Sequence, residues 1–125
     1  MPVAYTRDDD IRRIVVTMTD PLPLDEMLGA IERQALEGTW QYGVLNDSRA
    51  LSTTFTSSEL GKGLDLVKKL SHTYGRRGPV AIVAGRPVQF GMTRMYSVMS
   101  ETTFEVEAFH EIHDAERWLD QRLAP

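Results

Sequence analysis

The chain has 125 residues, 42% hydrophobic and 26% charged, which is the size and balance of one globular domain and excludes both a two-domain protein and a disordered segment. It contains no cysteine, so disulfides, thiolate metal sites and cysteine nucleophiles are excluded. With 14 Lys and Arg against 18 Asp and Glu, the net charge is −4, the wrong sign for sequence-independent attraction to phosphate, and no nucleic-acid partner is expected.

Val3–Arg7 reads as a short extended stretch, Asp8-Asp9-Asp10 as a polar turn and Ile11–Met18 as a β-branched strand, so the chain opens as a hairpin whose first strand lies at an edge. Thr19 to Pro23 breaks the pattern. Leu24, Met27, Leu28, Ile31 and Ala35 then recur at helical spacing, and Gly38 ends that helix. Tyr42–Asp47 is a strand, followed by a polar loop from Ser48 to Phe55. Thr56 and Glu59 have the spacing of a capping box, and Leu60, Leu64, Val67 and Tyr74 continue one face of the helix it starts, with Leu70 beside it. Gly75-Arg76-Arg77-Gly78-Pro79 stops that helix and is expected as a solvated basic turn.

Val80–Ala84 is the clearest buried strand. After Gly85-Arg86-Pro87 a third helix sets Val88, Met92, Met95, Tyr96 and Met99 on a common face. Phe104–Phe109 alternates as a strand with one polar face, and Ala115, Trp118, Leu119 and Leu123 mark a last helix. The order β-β-α-β-α-β-α-β-α, with about 30 residues between strands, requires crossover connections and a mainly parallel sheet. The expected fold is a single α/β domain over 1–125 with an antiparallel N-terminal edge strand.

Three stretches carry a family resemblance: Val44-Leu45-Asn46-Asp47-Ser48-Arg49, Phe90-Gly91-Met92-Thr93-Arg94-Met95, and Ala115-Glu116-Arg117-Trp118-Leu119. With the element order, they resemble the SpoIIAA-like superfamily of STAS domains, and in particular its small stand-alone bacterial, STAS/SEC14-like branch. The resemblance implies a protein-interaction or regulatory module. It also draws attention to Thr56-Ser57-Ser58-Glu59, where the phosphorylatable antagonists carry a serine in an Asp-Ser-Ser-Gly-like turn, so Ser57 and Ser58 are the candidates for phosphoregulation. This turn keeps both serines and lacks the aspartate and glycine. The family's glycine-x-x-arginine pattern is matched by Gly91 and Arg94, and Arg94 is expected as a structural anchor.

The remaining candidates come from the residues themselves. Asp47, Ser48, Arg49 and Arg86 follow the carboxyl ends of strands, where open α/β sheets bind ligands, and form a candidate anion rim. Phe90, Met92, Met95, Tyr96 and Met99 are read as core, as a homodimer face or as one wall of an apolar pocket. His110-Glu111-Ile112-His113 sits at a strand-to-helix junction and is read as a surface turn, with no metal expected. No serine stands in a G-x-S-x-G elbow, and Gly61-Lys62-Gly63 lies inside a helix rather than after a strand, so neither a hydrolase triad nor a phosphate loop is present.

No signal-peptide pattern and no apolar run of membrane-spanning length occurs, and a cytoplasmic location without membrane insertion is expected. The first expectation for function is a non-catalytic module binding a protein partner or a second copy of itself as a homodimer, with no cofactor. The alternative is a binder of a small apolar or anionic metabolite, held between the methionine-bearing helix and the rim.

Overall fold

The computed structural model describes residues 3–52, 55–100 and 103–123, without the side chains of Met95, Val98, Met99, Ser100 and Leu123. Its elements are β1 (Val3–Asp8), β2 (Arg13–Met18), α1 (Leu24–Leu36), β3 (Gly43–Asp47), α2 (Ser57–Tyr74), β4 (Val80–Val83), α3 (Pro87–Ser100), β5 (Val106–Phe109) and α4 (Ile112–Leu123). They form one α/β unit with a five-stranded sheet in the order β1-β2-β3-β4-β5. β1 pairs antiparallel with β2, in register from Val3 opposite Met18 to Asp8 opposite Arg13. The other three pairings are parallel.

Because each parallel crossover moves one strand further in the same direction, connections of one hand place their helices on one face. That is what the packing shows. Ile14, Val16 and Val44 of the sheet meet Ile31 and Ala35 of α1 and Leu64 and Val67 of α2, with Tyr96 of α3 against them. α4 follows the last strand and makes no crossover, so it is left to cover the opposite face. There Leu45, Ala81 and Val83 pack on Ala115 and Leu119. The two faces follow from the two-residue alternation along β3 and β4.

β3 and β4 are each one residue shorter than the hydrophobic pattern predicts, and β2 and β5 are each two residues shorter. Residues 9–12 form the turn between β1 and β2, with Arg12 in the left-handed region at φ 51°, so β2 starts at Arg13 rather than Ile11. Arg13 is buried on the α4 side, where its Nη2 donates to Asp120 Oδ1 at 2.6 Å and to the Glu116 carbonyl at 3.3 Å, tying α4 to the sheet. Phe104 precedes β5 but is fully buried, edge-on to Tyr96 with ring centroids 5.8 Å apart. Tyr74, expected on the buried face of α2, is 36% exposed, because the face that packs runs through Leu60, Gly63, Leu64 and Val67 and fades at the half-buried Leu70.

The capping box of α2 forms in both halves: Glu59 N–H donates to Thr56 Oγ1 at 3.1 Å and Thr56 N–H donates to Glu59 Oε1 at 3.0 Å. At its other end Gly75 adopts φ 87°, a conformation that glycine takes without steric cost. Gly78 is constrained by contact instead, since a Cβ there would lie 2.3 Å from the Tyr42 carbonyl oxygen and 2.4 Å from that of Gln41. Gly78→Ala should therefore destabilise the fold by about 3 kcal/mol, the upper end of overpacking costs. Gly29→Ala, on the exposed side of α1 with nothing within 4 Å of its new methyl, should stabilise by roughly 0.5–1 kcal/mol. Urea denaturation of the two variants checks both signs.

Candidate functional site

The three-helix face of the sheet does not close completely. Ile14 and Val16 of β2, Val44 and Asn46 of β3, and Val80 and Ile82 of β4 face a cavity of about 140 Å³. Met27, Ala30 and Gln34 of α1, Leu60 of α2, and Met92, Thr93 and Tyr96 of α3 close it from above. Asn46 and Ile82 are only half-buried although both lie on strands flanked on either side, so the surface they expose is the wall of this space.

The gap exists because side chains that point inward are engaged elsewhere. Gln89 is buried and holds four backbone groups: its Oε1 accepts from Gly85 N–H at 2.9 Å and Arg86 N–H at 3.3 Å, and its Nε2 donates to the carbonyls of Ser48 and Leu51. Thr93 Oγ1 donates to the Gln89 carbonyl at 2.8 Å, within its own helix. The face of α3 turned to the sheet is thus Gln89, Thr93 and Tyr96, spaced by four and three, with Met92 at its edge. These polar groups clamp the turns around the carboxyl ends of β3 and β4 instead of filling the space beneath them.

At the other end of the cavity lies Arg77, and here the expectation of a solvated basic turn is overturned. Arg77 is 8% exposed. The Gly75–Gly78 turn is drawn under the loop before β3, where Gly78 N–H donates to the Trp40 carbonyl at 3.0 Å and Trp40 Nε1 donates to the Gly75 carbonyl at 2.8 Å. That docking turns Arg77 inward, its guanidinium 5.3 Å from the Trp40 ring centroid and 5.0 Å from that of Phe104. Its Nε donates to Gln34 Oε1 at 3.0 Å. Burial lowers the Arg77 pKa, with the neighbouring Tyr96 and Tyr5 hydroxyls opposing the shift, yet a guanidinium starts from so high a value that it stays charged. Tyr96 in turn is pushed up by burial and held back by Arg77.

The rim residues are brought together in part. Asp47 and Arg49 form a forked pair, Nε to Oδ1 at 2.9 Å and Nη2 to Oδ2 at 2.8 Å, and Asp47 also accepts the Arg49 backbone N–H at 3.1 Å. The side-chain hydrogen bond from Arg49 holds the Asp47 carboxyl below its usual range. Ser48 is buried and donates to Asn46 Oδ1 at 2.7 Å, reaching the cavity rather than the rim. Arg86 is exposed, with its backbone in the Gln89 clamp.

On α3, Phe90 is half-buried and stacks on the His110 ring at a centroid distance of 3.9 Å. Met92 and Tyr96 line the cavity, whereas the side chains of Met95 and Met99 lie outside the described residues. Arg94, expected as an anchor, is exposed: it follows Thr93 by one residue and so points about a quarter-turn away from the packed face. The buried arginines among the described residues are Arg13 and Arg77. Ser57 and Ser58 are exposed in the first turn of α2. His113 is 84% exposed with Nδ1 3.5 Å from Glu116, and among the described residues no cluster of three or more His, Asp or Glu could hold a metal ion.

No protein-family profile, curated protein or solved structure matches this chain. Among the described residues no helix is long and apolar enough to cross a membrane.

Because the Asp47 pKa is depressed in the folded state, its pair with Arg49 contributes stability above the unfolded carboxyl value, and that contribution disappears as pH falls through the folded one. Asp47→Asn should accordingly lower stability by up to about 1 kcal/mol at pH 7, the range of a solvent-accessible ion pair, and the gap to the native chain should narrow as pH falls below the ordinary carboxyl value of about 3.9. Denaturant curves at pH 7 and through the acid range measure it.

Proposed function

We propose that this chain is a SpoIIAA-like domain that binds a small, largely apolar organic molecule in the cavity between β2–β4 and the helices α1–α3. The observation that carries the reading is the cavity itself: about 140 Å³ walled mainly by aliphatic, methionine and aromatic side chains, with a few polar groups at either end. This is the composition of ligand pockets, and a void of about 150 Å³ is enough to hold benzene. The binding site sits beneath the strand ends that open α/β sheets use for ligands, roofed by the Gln89 clamp. Element order supports the SpoIIAA-like assignment, with a hairpin leading into parallel crossovers and a last helix on the far face. Of the two functions expected from the sequence, the cavity favours the small-ligand binder over the protein-interaction module.

The neutral probe 1-hexanol, of a size to fill this volume, tests the reading. Titrated into the isotope-labelled full chain, it should shift amide signals at Ile82, Leu60 and Met92 together, with saturation at millimolar concentration or below. Ile82→Phe should fill the space, keep the fold and abolish those shifts. A native chain whose spectrum ignores hexanol, or whose shifts survive in Ile82→Phe, would refute a binding cavity here.

A further inference from the structure

We infer that the cavity is a receptor for a monocarboxylate, with Arg77 gripping the carboxylate and the aliphatic walls enclosing its tail. The inference rests on the cavity reading above and adds the chemical class of its occupant.

Arg77 is a buried cation without a buried anion. Among the described residues no carboxylate forms an ion pair with it, and the groups that raise its pKa are two tyrosine hydroxyls, not acids. Its Nε donates to the neutral Gln34 amide oxygen, and the other neighbour that hydrogen-bonds its side chain is the neutral Tyr96 hydroxyl. A guanidinium offers five N–H donors in a planar fork, more than these two neutral groups take up, so donors remain for a ligand. Burying a charge without a counter-charge costs several kcal/mol, and folded proteins meet that cost with a paired group. The cavity is where the missing partner fits, since Arg77 lines it.

A second group points to the same place. The Tyr5 hydroxyl is buried and has no hydrogen-bond partner of normal geometry, although it lies toward Thr39. Thr39 Oγ1 spends its own proton on the Gln34 carbonyl at 2.9 Å. Tyr5 lines the cavity and feels the Arg77 charge. A buried guanidinium with donors to spare and a buried hydroxyl without a partner of normal geometry therefore both line this otherwise apolar space, with Tyr96 beside Arg77.

The charge of the walls selects the anion. Among the described lining residues Arg77 is the one cation, and none of them is Asp or Glu. A single positive charge matches a carboxylate of charge −1, which the fork can hold through two parallel hydrogen bonds. A phosphate monoester would bring roughly −1.5 to −2 and leave charge buried without a partner. Volume sets the tail: about 140 Å³ accommodates a chain of hexanoate length or a benzoate ring, and not a long-chain lipid.

Hexanoate and 1-hexanol share a tail and differ in the head, so calorimetric titration of the full chain with each separates this inference from the one it rests on. The native chain should bind hexanoate at least 10-fold more tightly than hexanol at pH 7, as a charge-assisted pair in a dry site gives. Arg77→Met nearly keeps the volume and removes a buried charge that has no counter-ion among the described residues, at the cost of the hydrogen bond to Gln34 Oε1. It should lose the preference for hexanoate and bind hexanol within about 3-fold of the native chain. Tyr5→Phe leaves the Arg77–Gln34 contact intact and should weaken hexanoate about 3- to 10-fold with hexanol unchanged; it decides the matter if Arg77→Met fails to fold. Equal affinities in the native chain, or a preference that survives in Arg77→Met, would overturn the carboxylate receptor and leave the cavity standing. Binding of neither compound would overturn both.

Discussion

The structure depends on a polar knot at the amino-terminal ends of the parallel strands. Gln34, on α1 and fully buried, donates through Nε2 to the carbonyls of Thr39 at 3.2 Å and Trp40 at 3.4 Å and accepts from Arg77 Nε. Trp40 in turn binds Gly75 through its indole and receives Gly78 N–H on its carbonyl. Gln41 Nε2 donates to the Tyr74 carbonyl at 2.6 Å. The loop leading into β3 and the loop leading into β4 are thereby joined, and because both carry buried backbone groups that need partners, neither can relax without exposing the other. The parallel register of Val44 with Val80 follows directly from where this knot releases the two strands.

From that constraint follows the difference between the two faces of the sheet. On the far face a single helix approaches closely over Ala81 and Val83, with Ala115 and Leu119 as its contact residues, and the layer is dry and tight. On the near face three helices must share the same sheet width, and they meet it with longer side chains. α1 is held at its C-terminal end by Gln34 and α3 at its N-terminal end by Gln89, so each helix is fixed at one end by an amide that binds backbone. The space between those two fixed points is the cavity. Its volume is a consequence of helices positioned by polar anchors at their ends rather than by apolar contact along their lengths.

How much of this was legible in the sequence can be judged residue by residue. Strand and helix order came from periodicity and from start and stop signals such as Thr56–Glu59 and Gly75–Pro79, because those signals act locally, and the capping box of α2 uses the same two residues. Met92 and Tyr96 are read from the sequence as core, a homodimer face or a pocket wall, and both line the cavity. Arg77 was not legible. Between two glycines and next to Arg76 it has the composition of a solvated turn, and only the docking of that turn against Trp40, 37 positions earlier, buries it. Gln34 and Gln89 were missed for a related reason: on a helical wheel each is a polar residue interrupting an apolar stripe, and the stripe was followed through Ile31 and Ala35 or Met92 and Tyr96 instead. The usable signal was that each glutamine sits one turn or less from apolar residues on both sides, which places an amide inside the packed face. Arg94 failed in the opposite sense, since flanking methionines do not bury a residue whose angular position faces outward.

Among the described residues the protein supplies Arg77 with no counter-ion, which the carboxylate proposal accounts for. A carboxylate on the wall beside Arg77 would complete the ion pair, but the site would then be electrically satisfied and would prefer neutral occupants. Leaving the acceptor out keeps the guanidinium polarised only by amide and phenol groups, Gln34, Tyr96 and Tyr5, which orient it without neutralising it. The rings of Trp40 and Phe104 offset part of the cost of burial through their electron-rich faces. They can do so without competing for the N–H donors, because a cation above a ring is held through the plane of the guanidinium while hydrogen bonds leave along its edges. The rings and Gln34 therefore fix the orientation of Arg77 at the wall of the cavity. On the carboxylate proposal, discrimination follows from the protein side alone: a neutral head group would leave the buried charge unpaired, and an anion would not.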